Sequence, residues 1–235
     1  MKRLQLLLLL SLACFLLMPN NAAYAKGTQV LVPDTVRDTR SKYTAKYVSG
    51  IGHTCTAILI SSTAAVTAKH CGGTKPITPA GTIYPGASGP DTPFGYMNIR
   101  YYFPHPTQDI AVIKGILRDQ SKAYQYYIRP FSTKVTGYTN EQLEGFKDSE
   151  IYSYGYPYRD GVFKQYRSDG KITSYSKYLP LLSTDMPAYK GQSGSGVFIK
   201  NGNFLGIIVS ATNEDEANVL PFTEDIANWI NEKAS

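Results

Sequence analysis

The chain has 235 residues, 24 lysines and arginines against 18 acids, a formal net charge of +6, and 19 tyrosines. That length is ample for a buried core and within the range of one all-β fold. The positive charge is mild and spread without long basic runs, which favours solubility and gives no reason to expect a nucleic-acid partner. With no His/Cys cluster at ligand spacing and no phosphate-binding glycine loop, no metal or organic cofactor is expected.

The first element in chain order reads as a secretory signal. Lys2 and Arg3 give a positive start, Leu4 to Met18 is apolar apart from Gln5 and Ser11, and Ala23-Tyr24-Ala25 offers a cleavage site before Lys26. A membrane anchor fits less well, because the apolar run is short and Pro19-Asn20-Asn21 follows it. A lipoprotein site at Cys14 would have a poor lead-in, so Cys14 is expected to leave with the signal. Loss of Lys2 and Arg3 takes the formal charge from +6 to +4. The mature protein is expected outside the cell, free of the membrane and monomeric.

Strands then recur at short intervals. Val30 to Val32 reads as a first strand. Tyr43 to Val48 and Thr54 to Ile60 lead into Ala64 to Ala68. Beyond Ile83, a Gly/Pro-rich loop over Gly86 to Gly95 precedes Met97 to Phe103, and Asp109 to Lys114 is an apolar strand that starts at an acid. Glu150 to Tyr154, Lys164 to Ser176 and Met186 to Ala188 follow. Gly196 to Lys200 and Phe204 to Ser210 flank Asn201-Gly202 and form a hairpin. The chain ends in a helix: Thr223 caps it, Glu224 and Asp225 complement its positive start, and Ile226, Trp229 and Ile230 share one face. Many short strands with almost no helix predict an all-β sandwich or barrel.

Three strings carry chemistry: Thr67-Ala68-Lys69-His70-Cys71, Asp109-Ile110-Ala111-Val112 and Gly191-Gln192-Ser193-Gly194-Ser195-Gly196. A serine hydroxyl needs a base to become a nucleophile at neutral pH. Histidine takes and returns a proton near that pH, and an acid fixes its tautomer and stabilises the imidazolium. Gly191 and Gly194 permit a tight turn. Taken singly, Ser193 reads as a turn serine, His70 as a core histidine and Asp109 as a strand-edge acid; the order and context of all three together point to a triad. An α/β-hydrolase places its histidine after its serine within Gly-x-Ser-x-Gly, whereas His53, His70 and His105 all precede Ser193 and residue 195 is serine.

In these strings the chain resembles the chymotrypsin-like serine protease superfamily. It looks most like the bacterial branch of staphylococcal glutamyl endopeptidases and exfoliative toxins, which have Gly-Asn-Ser-Gly-Ser where this chain has Gly-Gln-Ser-Gly-Ser. The resemblance implies two six-stranded Greek-key β-barrels with a short C-terminal helix. On that pattern residues 1–25 are the signal peptide, 26–29 a short propeptide, 30–120 the N-terminal barrel, 121–138 the crossover, and 139–235 the C-terminal barrel and helix. It also implies that His70, Asp109 and Ser193 are catalytic and that the N–H groups of Gly191 and Ser193 form the oxyanion hole.

Cys55 and Cys71 remain after signal removal. An even pair outside the cell invites a disulfide, and the resemblance places the superfamily bridge here, holding His70 steady. Val30 to Arg37 resembles the start of a mature glutamyl endopeptidase, which suggests activation by removal of Lys26 to Gln29. The residue before the nucleophile is Gln192, so the zymogen ion pair of a freed amino terminus with an acid cannot form there.

Specificity departs from the glutamyl pattern. Ala188 and Ile208 stand where those relatives use a threonine and a histidine, and neither can donate a hydrogen bond to a carboxylate. Pro187 falls near the place of a trypsin-like acid. Ala188, Ile208 and Ala211 would line a small apolar pocket, while Lys190 lies close enough to attract an acid or else is a solvated loop lysine. The function expected is a secreted serine endopeptidase that cleaves protein or peptide substrates, with a neutral or apolar primary pocket. The alternative is a toxin or binding protein of protease fold whose site is latent or narrowly specific.

Overall fold

A computed structural model describes residues 26–200 and 202–235. The expected signal segment, with Cys14, lies outside the described residues. Among the described residues no helix is long and apolar enough to cross a membrane.

The first sheet contains β2 (Thr44–Ser49), β3 (Thr54–Leu59), β4 (Ala64–Thr67), β5 (Gly81–Pro85), β6 (Met97–Asn98), β7 (Tyr101–Pro104) and β8 (Ala111–Lys114), in the order β6-β5-β2-β3-β4-β8-β7. Its ladders are antiparallel. The sheet curls until its two edge strands meet in one stretch of chain: Met97 and Asn98 pair with β5, while Tyr101 to Pro104 pair with β8. β4 is buried along its whole length, as an Ala-Ala-Val-Thr strand covered on both faces requires.

The second sheet is a closed barrel. β9 (Glu150–Gly155), β12 (Tyr166–Ser176), β13 (Leu181–Pro187), β16 (Glu216–Pro221), β15 (Phe204–Ala211) and β14 (Gly196–Ile199) form the ring, which β12 closes by pairing back onto β9. The 11 residues of β12 make this possible, because the first half pairs with β9 and the second half with β13. A two-stranded hairpin, β10 (Tyr158–Arg159) and β11 (Val162–Phe163), projects beside the ring. Asp160 and Gly161 at its tip both have positive φ, 51° and 77°, which Asp-Gly tolerates. The chymotrypsin-like two-barrel architecture expected from the sequence is therefore present.

The helices are α1 (Lys69–Gly72), α2 (Lys122–Tyr127), α3 (Asn140–Gly145) and α4 (Glu224–Ala234). The expected cap on α4 forms, with the Ile226 N–H donating to the Thr223 hydroxyl. Its apolar face, Ile226, Ala227 and Ile230, packs on the first barrel against β4 and β8. α2 and α3 were not expected. Each begins at a hydroxyl cap, Ser121 and Thr139, which accepts from an N–H in the first turn.

The chain before β2 departs from expectation. Val30 falls in β1 (Thr28–Leu31), which pairs with β12 of the second barrel, so this strand does not open the first barrel. Lys26 to Gln29, expected as a detachable propeptide, are built into the fold. The Gly27 N–H donates to the Asp185 carbonyl, and Lys26 Nζ donates to the Glu214 carbonyl.

Cys55 of β3 and Cys71 of α1 form a disulfide across a sequence separation of 16. Closing a loop of that length limits the unfolded chain and contributes about 3 kcal/mol. The double variant Cys55→Ser/Cys71→Ser is expected to lose stability of that order, seen as a lower denaturation midpoint in urea with a slope as steep or steeper, because the freed unfolded chain exposes more surface.

Candidate active site

His70 sits in a single helical turn, and that turn is pinned. The hydroxyl of the buried Tyr102 of β7 lies 2.7 Å from the carbonyl oxygens of both Lys69 and Gly73 and shares its one proton between them. Burial, reinforced by the charge of Asp109, holds the Tyr102 phenol well above its ordinary pKa, so it stays a donor. Lys69 Nζ in turn donates to the His105 carbonyl at 2.9 Å, tying the histidine turn to the loop that leads to Asp109.

Asp109 immediately precedes β8 and uses both carboxylate oxygens on His70. Oδ2 lies 2.7 Å from Nδ1, and Oδ1 accepts the His70 main-chain N–H at 2.9 Å. Burial opposes ionisation of Asp109, but these two bonds and the charges of His70 and Lys69 outweigh it and lower its pKa. An ionised carboxylate can only accept, so Nδ1 is the protonated nitrogen that faces it, and whenever the ring is neutral the lone pair is on Nε2.

Ser193 lies in the tight turn between β13 and β14. Gly194 has φ +87°, and a Cβ there would collide with the Thr56 carbonyl oxygen. That close approach stitches the serine turn to the first barrel. The Thr56 N–H donates to the Ser193 carbonyl at 2.9 Å, the Thr56 hydroxyl donates to the Gly191 carbonyl at 2.9 Å, and Thr67 Oγ1 donates to the Thr56 carbonyl at 2.8 Å. Thr56 follows Cys55, and His70 precedes Cys71. The disulfide thus joins the strand that holds the serine turn to the helical turn that carries the histidine. Its sulfurs are bonded to each other and offer no thiolate to a metal.

The peptides that carry the two N–H groups expected to form an oxyanion hole are each held at the carbonyl end. The Lys190 carbonyl accepts from the Tyr158 N–H at 2.8 Å, and the Gln192 carbonyl accepts from the Ser195 N–H at 2.9 Å. In a trans peptide the N–H points opposite to the carbonyl. The Gly191 and Ser193 N–H groups therefore point away from those partners, and among the described residues neither has an acceptor.

His70, Gly191 and Ser193 line one cleft of about 590 Å³ together with Gly52, His53, Thr54, Cys55, Tyr158, Phe163 and Lys190. No hydrogen bond joins Ser193 Oγ to His70; such bonds are often long in unliganded sites and tighten when substrate binds. The expected pocket residues lie elsewhere. Ala188 and Ile208 are buried in the second core with Met186, Leu205 and Val219, while Ala211 is exposed at the end of β15. None of the three lines this cleft.

Sequence reasoning did not anticipate the aromatic wall. Tyr158 and Phe163 pack with ring centroids 4.9 Å apart, and Arg159 lies 4.2 Å above the Tyr189 ring, clamping the hairpin to the segment before Gly191. Asp160-Gly161 between aromatic residues was the available signal. A second unanticipated residue is Gln29, whose side chain reaches Gln192, 163 positions later. No local pattern marks such a contact.

Two curled β-sheets, with a histidine–aspartate pair and a glycine-bound serine turn at one cleft between them, define the chymotrypsin-like two-barrel class. Residues 55–207 match the family model of the trypsin-like peptidase domain, and the chain belongs to that family. The fold is similar to that of a Glu endopeptidase solved in complex with MPD, at 21% identity over 88% of this chain and 97% of that one, with a TM-score of 0.70. It is also similar to a thermostable serine protease, AL20, from an extremophilic microorganism (14% identity, 82% and 97% of the two chains, TM-score 0.62). A serine endoprotease from Yersinia pestis aligns at 16% identity over 82% of this chain and 62% of that one, with a TM-score of 0.54. No curated protein sequence matches the chain. The expected resemblance to bacterial glutamyl endopeptidases is borne out at the level of fold.

Proposed function

We propose that this peptidase domain is a secreted serine endopeptidase that works through an acyl-enzyme. The observation that carries the reading is the His70–Asp109 contact of 2.7 Å in the same cleft as Ser193 and the two unpartnered N–H groups of its turn. Nε2 of His70 takes the Ser193 proton as Oγ attacks the peptide carbonyl. The oxyanion that forms accepts from the N–H groups of Gly191 and Ser193. The imidazolium, balanced by Asp109, then protonates the leaving amine. Water enters by the same base and releases the acid product.

The substrate is a protein or peptide. The rings of Tyr158 and Phe163 wall the cleft, and neither Ala188 nor Ile208 can donate to a carboxylate, which favours a neutral or apolar residue before the cut. The Tyr158 N–H holds the Lys190 carbonyl and leaves the Gly191 N–H of the same peptide without an acceptor among the described residues, which supports a formed site rather than a latent one.

A fluorophosphonate probe tests the reading. The folded protein is expected to take up one probe per chain, on the peptide that contains Ser193, and a peptide-library digest then reports the preferred residue. A folded protein that takes up no probe would overturn the proposal.

A further inference from the structure

Gln192 stands between two cleft residues, Gly191 and Ser193, whose N–H groups have no acceptor among the described residues, so any rotation at Gln192 moves both. Its side chain is fully buried. Oε1 accepts from the Tyr189 N–H at 2.8 Å and from Gln29 Nε2 at 2.9 Å. Nε2 lies 3.4 Å from the hydroxyl of the buried Ser168, which itself lies 2.8 Å from Gln29 Nε2. The bond from Tyr189 is local and would travel with the turn wherever it moved. Gln29 on β1 and Ser168 on β12 are the partners that tie Gln192 to the rest of the barrel.

We infer that Gln29 is a positioning residue for the oxyanion turn: its side-chain amide fixes Gln192 and thereby aims the Gly191 and Ser193 N–H groups. The inference rests on the catalytic reading above. The three atoms around Gln29 Nε2 are Gln192 Oε1, Ser168 Oγ and, at 3.5 Å, the Pro187 carbonyl oxygen. All three can accept, so the site calls for a donor and not merely for volume. Without Gln29, Gln192 Oε1 keeps only the Tyr189 N–H, which moves with the turn, so nothing outside the turn holds that oxygen in place. The role runs opposite to a propeptide. Cutting before Val30 would remove the donor and loosen the site.

Gln29→Met keeps the length of the side chain and removes the donor; Gln29→Lys returns a donor to the same acceptors. With active sites counted by fluorophosphonate titration, Gln29→Met is expected to lower kcat per site about 10- to 100-fold, below the loss of a whole oxyanion donor. KM stays within about twofold, and the affinity for a peptide boronate, which fills the oxyanion position, falls in step with kcat. Gln29→Lys is expected to recover most of the loss. A purely structural role would lower the melting temperature and the fraction of titratable sites while leaving kcat per site unchanged. That outcome, or a loss that Gln29→Lys fails to restore, overturns the inference. If the unaltered protein neither takes the probe nor cleaves peptides, the catalytic reading itself fails.

Discussion

Ser193→Ala is expected to lower kcat by about 10⁶-fold, because removal of a triad nucleophile costs about as much as removal of the whole triad. The change leaves the turn intact. Residue 193 keeps its N–H, Gly194 keeps its positive φ, and the Thr56 bond is made to the main-chain carbonyl of residue 193. The variant should therefore fold normally and still bind peptides. Its residual rate should exceed that in water by roughly 10³–10⁴, from binding and the remaining N–H donors. Steady-state turnover of a chromogenic peptide, with circular dichroism as the check on folding, measures both. A rate within tenfold of the unaltered protein would mean that another group attacks the carbonyl.

Asp109→Asn should cost about 10⁴-fold in kcat with little change in overall structure. Both oxygens of Asp109 accept from His70, one from Nδ1–H and one from the main-chain N–H. Asparagine has only one acceptor oxygen. If that oxygen keeps the main-chain bond, the amide NH₂ faces Nδ1, which must give up its proton and accept. The proton moves to Nε2, and the ring then offers Ser193 a donor where a base is needed. Stability at low pH should change as well. The folded-state pKa of Asp109 is depressed, so its contribution is fully present above the ordinary carboxylate range and is lost as pH falls through the folded value. The asparagine variant should lack that part of the acid destabilisation, measurable as a flatter dependence of melting temperature on pH below about pH 4.

The parts of the fold legible in the sequence are those where chemistry is local. β4, β8 and the β14–β15 hairpin are apolar runs bounded by turn residues, and α4 announces itself through its cap and apolar stripe. β13 was recognised only at its end, because its alternation runs through Ser183, Thr184 and Asp185, and Thr184 is buried only by donating to the Ala217 carbonyl. β16 has no strand signal in the sequence, since acids at Glu214, Asp215 and Glu216 lead into it, although Ala217 and Val219 turn into the core. The residues of the site were legible as three strings, but the way they meet was not. Thr56 gripping the serine turn, Tyr102 holding the histidine turn and Gln29 beneath Gln192 are all contacts between residues far apart in sequence. The pocket expectation met the same limit: residue type at Ala188 and Ile208 gave polarity, and only packing shows that both side chains are buried.

The ends of the described chain are exchanged between the barrels. β1, at the beginning, lies along β12 of the second barrel, whereas α4, at the end, is seated on β4 and β8 of the first. Loose ends are where proteolytic attack on a folded domain concentrates. Here each end is held down on the far side of the seam between the barrels, one by a sheet ladder and the other by Ile226, Ala227 and Ile230 in the core. The two elements act as straps across the seam: parting the barrels would require β1 to peel from β12 or α4 to lift from β4 and β8.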